Sequence, residues 1–213
     1  MPAVWSRPEP ERAGTALLVM LHGYGSSEEK LLPLFSALPP DVTAVALRGH
    51  FDVGGSFGWF LLDPLLHPDI AEVLESAGKV FAWLDPVLAA GSFRAVGLLG
   101  FSQGMALATT LLRLRPQAFS AAVGLSGFVL EHELLAAADE PGQVLPFFWG
   151  RDVRDGFIRA GAVRHTAQWL QAHTLLTART YPGMGHRIGR DEIRDVGIFL
   201  KCYLSLPGPP SGR

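Results

Sequence analysis

The sequence is poor in most features that would take it out of the ordinary globular class. Its single cysteine among 213 residues cannot form an internal disulfide, and neither a CxxC pair nor a Cys/His zinc spacing occurs. No metal and no cofactor are therefore expected. Lys and Arg number 18 against 20 Asp and Glu, without any basic run, which argues against a nucleic-acid partner. No apolar run approaches the ~20 residues of a membrane span, and the opening MPAVWSRPEPERAG lacks the apolar core of a signal peptide. A cytoplasmic protein without stable membrane insertion is the expectation. Cys202 lies near Phe199, Leu200 and Tyr203 in sequence and reads as a buried structural thiol.

What the chain does have is core material, 48% hydrophobic residues against 18% charged, and length enough to bury it in one domain. Residues 14–206 read as that domain, between a Pro/Arg/Glu-rich tail over 1–13 and a second tail, PGPPSGR, over 207–213. Short β-prone runs at 15–21, 42–47, 94–99, 121–125, 144–149 and 174–181 are mostly continuous rather than alternating. Such runs suit strands buried on both faces of a parallel sheet. Helical patterns fill the gaps, at 69–90 with an interruption near Pro86, and at 103–115, 159–172 and 190–204. Alternation of this kind predicts an α/β fold, a mostly parallel sheet flanked by helices, with any site at the carboxyl ends of the strands.

Two segments match G-x-S-x-G, so the pattern needs its context. Gly100-Phe101-Ser102-Gln103-Gly104 stands between a predicted strand and a predicted helix, the setting that exposes a serine on a sharp turn above a sheet. The helix N-terminus then turns free N–H groups toward the reacting centre. Gly54-Gly55-Ser56-Phe57-Gly58 follows no predicted strand and precedes the aromatic stretch Trp59-Phe60, so it reads as a flexible turn. Ser102 is the candidate nucleophile.

A serine hydroxyl needs a base within hydrogen-bond reach. Of seven histidines, His186 lies in a Gly-rich turn after the last strand and before the last helix, on the rim predicted for Ser102. His165 and His173 fall in or at the end of a helix, and His50, His67 and His132 have no strand-end setting. For the acid, Gly150-Arg151-Asp152-Val153-Arg154-Asp155-Gly156 follows a strand and offers two carboxylates. Asp155 is preferred, since Gly156 and a helix follow it, with Asp152 the alternative. Acyl transfer also needs backbone donors for an oxyanion. The amides of Gln103 and of Tyr24, in Leu21-His22-Gly23-Tyr24-Gly25, are the candidates, with His22 as turn scaffold.

The segments LHGYGSSEEKLLPL, LRGHFDVGGSFGWF, GFSQGMAL, LSGF, FFWGRDVRD and YPGMGH occur in this order. In this the chain resembles the carboxylesterase/phospholipase family, which includes acyl-protein thioesterases, over nearly all of its length outside the tails. The resemblance implies an α/β-hydrolase fold without a large cap domain, hydrolysing short or medium acyl esters, thioesters or lysophospholipids. It carries the nucleophile to Ser102, the acid to Asp155, the base to His186 and the oxyanion donors to Tyr24 and Gln103. It also implies a substrate wall at Trp59 and an acyl-side contact at Phe157. Two departures stand out: Arg151-Asp152 replaces a common His-Gly pair, and Met105 occupies a position where a small residue is common. The rival readings are a non-catalytic binding protein of the same fold and a serine acyltransferase or peptidase. The partner implied is a small-molecule ester; the pattern does not give the oligomeric state, and a homodimer stays open.

Overall fold

The computed structural model describes residues 1–62, 68–139 and 144–205. Its strands are β1 (Ala3–Trp5), β2 (Ala16–Leu21), β3 (Val42–Leu47), β4 (Phe51–Val53), β5 (Ser56–Gly58), β6 (Val96–Phe101), β7 (Ala121–Leu125), β8 (Leu145–Arg151) and β9 (Thr174–Thr180). The helices are α1 (Ile70–Ala90), α2 (Gln103–Leu114), α3 (Glu133–Ala136), α4 (Ala160–His173) and α5 (Arg190–Tyr203), with a 3₁₀ stretch at Glu28–Ala37. Seven strands form one sheet in the order β1-β3-β2-β6-β7-β8-β9. All its pairings are parallel except that of β1 with β3.

The continuous apolar runs are central strands, as parallel pairing under two helical layers requires. In β2, Leu17, Val19 and Leu21 face α1, α2 and α4, while Ala16, Leu18 and Met20 face α5 and the 3₁₀ stretch. All six are fully buried. Edge strand β9 is covered less, with Leu175 54% exposed, and its sequence TLLTART is correspondingly more polar. Helix α2 is buried along nearly its whole length, packing on β2, β6, β7 and α1.

Four features differ from the sequence reading. The supposed N-terminal tail contributes β1, and Trp5 packs against Trp83 and Phe93 with the Arg12 guanidinium over its ring. An aromatic anchor outweighs the Pro/Arg/Glu composition around it. Helix α1 runs unbroken through Pro86, because that residue lies on the exposed face, where water can take up the carbonyl left without a donor. The hairpin of β4 and β5 went unforeseen; Gly54 and Gly55 at φ 61° and 86° make its turn. Cys202 is exposed rather than buried, since α5 turns Val196, Phe199 and Leu200 inward. The supposed tail over 207–213 lies outside the described residues.

Register aligns the carboxyl ends: Leu21 pairs with Gly100, Phe101 with Leu125, Leu125 with Gly150 and Arg151 with Thr180. The loops after β2, β6, β7, β8 and β9 therefore meet on one rim. Among the described residues no helix is long and apolar enough to cross a membrane, and no cap domain covers that rim.

Candidate active site

Ser102 closes β6 and opens α2 with φ 53° and ψ −118°, a backbone region a non-glycine residue enters only under constraint. Its amide donates to Leu125 O at 2.9 Å, tying the turn to β7. The flanking glycines are steric necessities. A Cβ on Gly100 would stand 2.3 Å from the Gly104 carbonyl carbon, and one on Gly104 would stand 2.0 Å from Leu21 O. Met105 beneath the turn is fully buried, and Gly124 and Gly127 make room for it; a Cβ at either would come within 2.4 Å of its side chain.

The three side chains predicted to meet are joined by hydrogen bonds. Ser102 Oγ is 3.0 Å from His186 Nε2, and His186 Nδ1 is 2.8 Å from Asp155 Oδ2. A carboxylate only accepts, so Nδ1 carries the hydrogen and Nε2 is left to accept from the serine hydroxyl. Asp155 Oδ1 accepts from the amides of Phe157 and Ile158 at 2.8 and 3.4 Å, which fixes the carboxylate. Its side chain is 3% exposed and that of His186 14%. The imidazole lies between the Phe101 ring at 5.1 Å and the Phe157 ring at 4.8 Å.

Asp152 does not meet the imidazole through any hydrogen bond. It accepts from Gly185 N and from Arg154 N, which keep its carboxyl below the ordinary range and brace the turn carrying His186. Of the other histidines, His132 caps α3, His165 lies near Glu131, and His173 stacks on Trp169. His50 is exposed, and His67 lies outside the described residues. Ser56, the rival G-x-S-x-G serine, opens β5 after β4; it is preceded by a strand after all, but of the small hairpin, and it leads into a strand rather than directly into a helix.

The loop after β2 also comes against the nucleophile: a Cβ on Gly23 would lie 3.3 Å from that of Ser102. Tyr24 and Gly25 make the turn, with Gly25 at φ 65°. His22 is fully buried, its Nδ1 2.7 Å from Gly23 O and its Nε2 accepting from Gly49 N at 2.9 Å. Burial lowers its pKa, consistent with a neutral ring that acts as scaffold.

Trp59 corrects the sequence reading. Expected on the substrate wall, it is 0% exposed and donates Nε1 to His22 O at 2.8 Å, because a buried indole must find an acceptor. Phe157 is 72% exposed over the His186 ring, where a contact to substrate remains open to it. Two roles were missed altogether. The buried Gln103 side chain accepts from Trp59 N at 2.9 Å and donates to Phe60 O at 2.6 Å. Glu28, 2% exposed, takes a two-pronged bond from Arg48, which holds its carboxyl low despite burial. Both join residues far apart in sequence, and no local motif announces them. Among the described residues no three His, Cys, Asp or Glu side chains converge as metal ligands would.

A mostly parallel sheet whose central strand turns through a strained serine into a buried helix is the α/β-hydrolase fold. The chain belongs to the phospholipase/carboxylesterase family, whose model matches residues 6–204. It is 27% identical over 139 residues to carboxylesterase SOBER1 of Arabidopsis thaliana, a match covering 64% of this chain and 61% of that protein. The chain thus spans about three-fifths of the length of that relative. Acyl-protein thioesterase 1 of Cryptococcus neoformans is 26% identical over 222 residues, covering 90% of this chain and 93% of that one. The crystal structure of a carboxylesterase from Mesorhizobium loti superposes with a TM-score of 0.75 at 25% identity, covering 91% and 89% of the two chains.

Proposed function

We propose that the protein hydrolyses carboxylic esters, with thioesters as chemically equivalent substrates, through an acyl-enzyme on Ser102. The single observation that carries this reading is the hydrogen-bonded series Ser102–His186–Asp155, with 3.0 and 2.8 Å links. His186 Nε2 takes the serine proton as Oγ attacks the carbonyl carbon, Asp155 steadies the imidazolium, and the proton passes to the departing alcohol. Water then attacks the acyl-enzyme by the same proton route.

The oxyanion is received by the amides of Gln103 and Tyr24. Gln103 is the first residue of α2, so its N–H has no acceptor a turn earlier in the helix and remains available. The close approach of Gly23 to Ser102 supports the partner role of the next amide. The acyl group occupies a cavity of about 610 Å³ whose apolar wall includes Ile70, Phe128, Val129 and Ala162. Phe128 follows Gly127, which packs against the first turn of α2: a Cβ there would lie 2.8 Å from the Ser102 carbonyl oxygen.

Replacing Ser102 by Ala is expected to reduce hydrolysis of p-nitrophenyl butyrate by about 10⁴–10⁶ in kcat, with the fold retained. A fluorophosphonate probe is expected to label the wild type at Ser102 alone. Unchanged turnover in Ser102→Ala would refute the assignment, and absence of both turnover and labelling would make the chain a binding protein of this fold.

A further inference from the structure

Against His186, which forms part of its lining, lies a second hollow of about 350 Å³. Its lining includes His186 and Gly23, which puts it against both the base and the loop that approaches Ser102. Leu31, Leu34, Ile188 and Ile193 give it apolar walls from the 3₁₀ stretch and from α5. Two cations, Lys30 and Arg187, also line it, and no carboxylate does. Both are exposed, and neither side chain forms an ion pair among the described residues. The 610 Å³ cavity is different in charge: Glu131 lies among its lining residues with Arg159. The 350 Å³ hollow thus presents positive charge with no carboxylate in its lining.

Resting on the esterase reading, we infer that this hollow receives the leaving group, and that the leaving alcohol or thiol carries a carboxylate or phosphate. The assignment of the side follows from the chemistry. When the tetrahedral intermediate collapses, the bond from the acyl carbon to the alcohol oxygen breaks, while the acyl carbon stays bonded to Ser102 Oγ. The departing oxygen takes the proton held on His186 Nε2, so the alcohol must lie on the imidazole's side of the nucleophile. A volume near the lower end of the ~300–1,000 Å³ span of small-ligand sites suits a compact alcohol of this sort. The apolar walls accommodate its carbon frame, and Lys30 and Arg187 attract its charge.

The test is a set of butyrate esters of one carbon frame: those of para-(hydroxymethyl)benzoic acid, its phosphonic acid counterpart, its N-methylamide and para-(aminomethyl)benzyl alcohol. At low ionic strength, kcat/KM is expected to be roughly five- to tenfold higher for the anionic esters than for the neutral one, and lowest for the cationic one. The carboxylate and phosphonate arms show which anion fits better. The advantage is expected to shrink as salt is added and to reverse in a Lys30→Glu, Arg187→Glu double variant. Equal rates across the set, with turnover still dependent on Ser102, overturn this inference and leave the esterase reading intact. A preference that survives in the double variant overturns it too, as does one that appears when the charge is moved to the acyl side as a glutarate monoester. No Ser102-dependent turnover of any ester overturns the esterase reading, and this assignment with it.

Discussion

On one side of Ser102, the loop after β2 is held by side chains reaching across large sequence separations. His22 binds Gly49 N 27 residues away, Trp59 binds His22 O at a separation of 37, and Gln103 binds Trp59 N at 44. His22, Trp59, Phe60 and Gln103 are all fully buried. On the other side, the loop after β8 pairs each long-range bond with a local one: Asp152 accepts from Gly185 N, 33 residues on, and from Arg154 N, while Asp155 holds His186 and accepts from Phe157 N. Val153 and Phe157 there are 56% and 72% exposed. The difference follows the chemistry proposed for each wall. Donors awaiting an oxyanion must be fixed beforehand, since reorganising them during reaction would forfeit their benefit. A base that takes and returns a proton needs its ring oriented, and one well-held carboxylate achieves that.

The sharpest way to break this comparison lies in the two aspartates of the softer wall. Replacing Asp155 by Asn removes the acceptor for His186 Nδ1 and favours the wrong tautomer; a fall of about 10⁴ in kcat is expected. Replacing Asp152 by Asn weakens the bracing of Gly185 and Arg154, and a loss of roughly tenfold or less is expected. Steady-state rates on p-nitrophenyl butyrate decide it. A larger loss for Asp152→Asn would mean that the carboxylate contacts in solution are exchanged.

The buried wall predicts a stability effect instead. Gln103→Leu leaves the Trp59 amide and the Phe60 carbonyl buried without partners, and about 2–4 kcal/mol of unfolding free energy should be lost. An exposed substitution across the site, Val153→Ser, should stay within ~0.5 kcal/mol. Urea titrations of the two variants measure the contrast, and similar midpoints would erase the distinction between the walls.

Besides Asp152 and Asp155, a third carboxyl is buried against β8. Glu192 is fully buried at the start of α5 and presses on β8, where a Cβ on Gly150 would come within 2.3 Å of its Oε1. That oxygen has no hydrogen-bond partner among the described residues, and burial raises the carboxyl pKa from 4.5 to about 7, against the opposing bond from Gly189 N. Between those two values the folded chain holds a proton that the unfolded chain releases, so stability falls as pH rises through the window, by up to about 3 kcal/mol. Glu192→Gln should flatten that part of the profile. Thermal melts of both proteins between about pH 5 and pH 8 test it; parallel curves would assign the slope to other groups.

The two walls also differ in how much of them the sequence could reveal. The softer wall was readable because its parts are local: strand, Ser102 and helix in one run, His186 in a Gly-rich turn, Asp155 before Gly156. Even there Asp152 and Asp155 were told apart by neighbours alone, and it is the 2.8 Å link to His186 that separates them in space. The six long strands were legible for a similar reason, each being an apolar run of a length the parallel sheet can bury. The buried wall was not. Trp59 was put on a substrate wall by the family resemblance alone, and an aromatic residue in a loop carries no sign of where its indole N–H will find an acceptor. Gln103 was read only for its amide, since its side-chain partners, Trp59 N and Phe60 O, come directly after the β4–β5 hairpin, which forms only once Gly54 and Gly55 turn. The β1 strand escaped because three residues are too few for a periodic signal.

Phe157 carries the smallest expected effect and tests the comparison most finely. Its ring lies 4.8 Å from the His186 ring while 72% of the residue faces solvent, so little apolar area is lost if it is cut back. Phe157→Ala should therefore change unfolding free energy by no more than ~0.5 kcal/mol. The same change opens the imidazole to water and removes an apolar contact beside the reacting atoms. A three- to fivefold drop in kcat/KM follows, equivalent to roughly 1 kcal/mol. Trp59→Phe on the buried wall removes the bond to His22 O from a fully enclosed site and is expected to lower stability and rate together. A rate effect without a stability effect in Phe157→Ala, beside a joint effect in Trp59→Phe, is the signature of one wall built for contact and the other for rigidity. If Phe157→Ala destabilised the fold as much as Trp59→Phe, the exposed ring would be structural, and the loop after β8 would be as firmly held as the loop after β2.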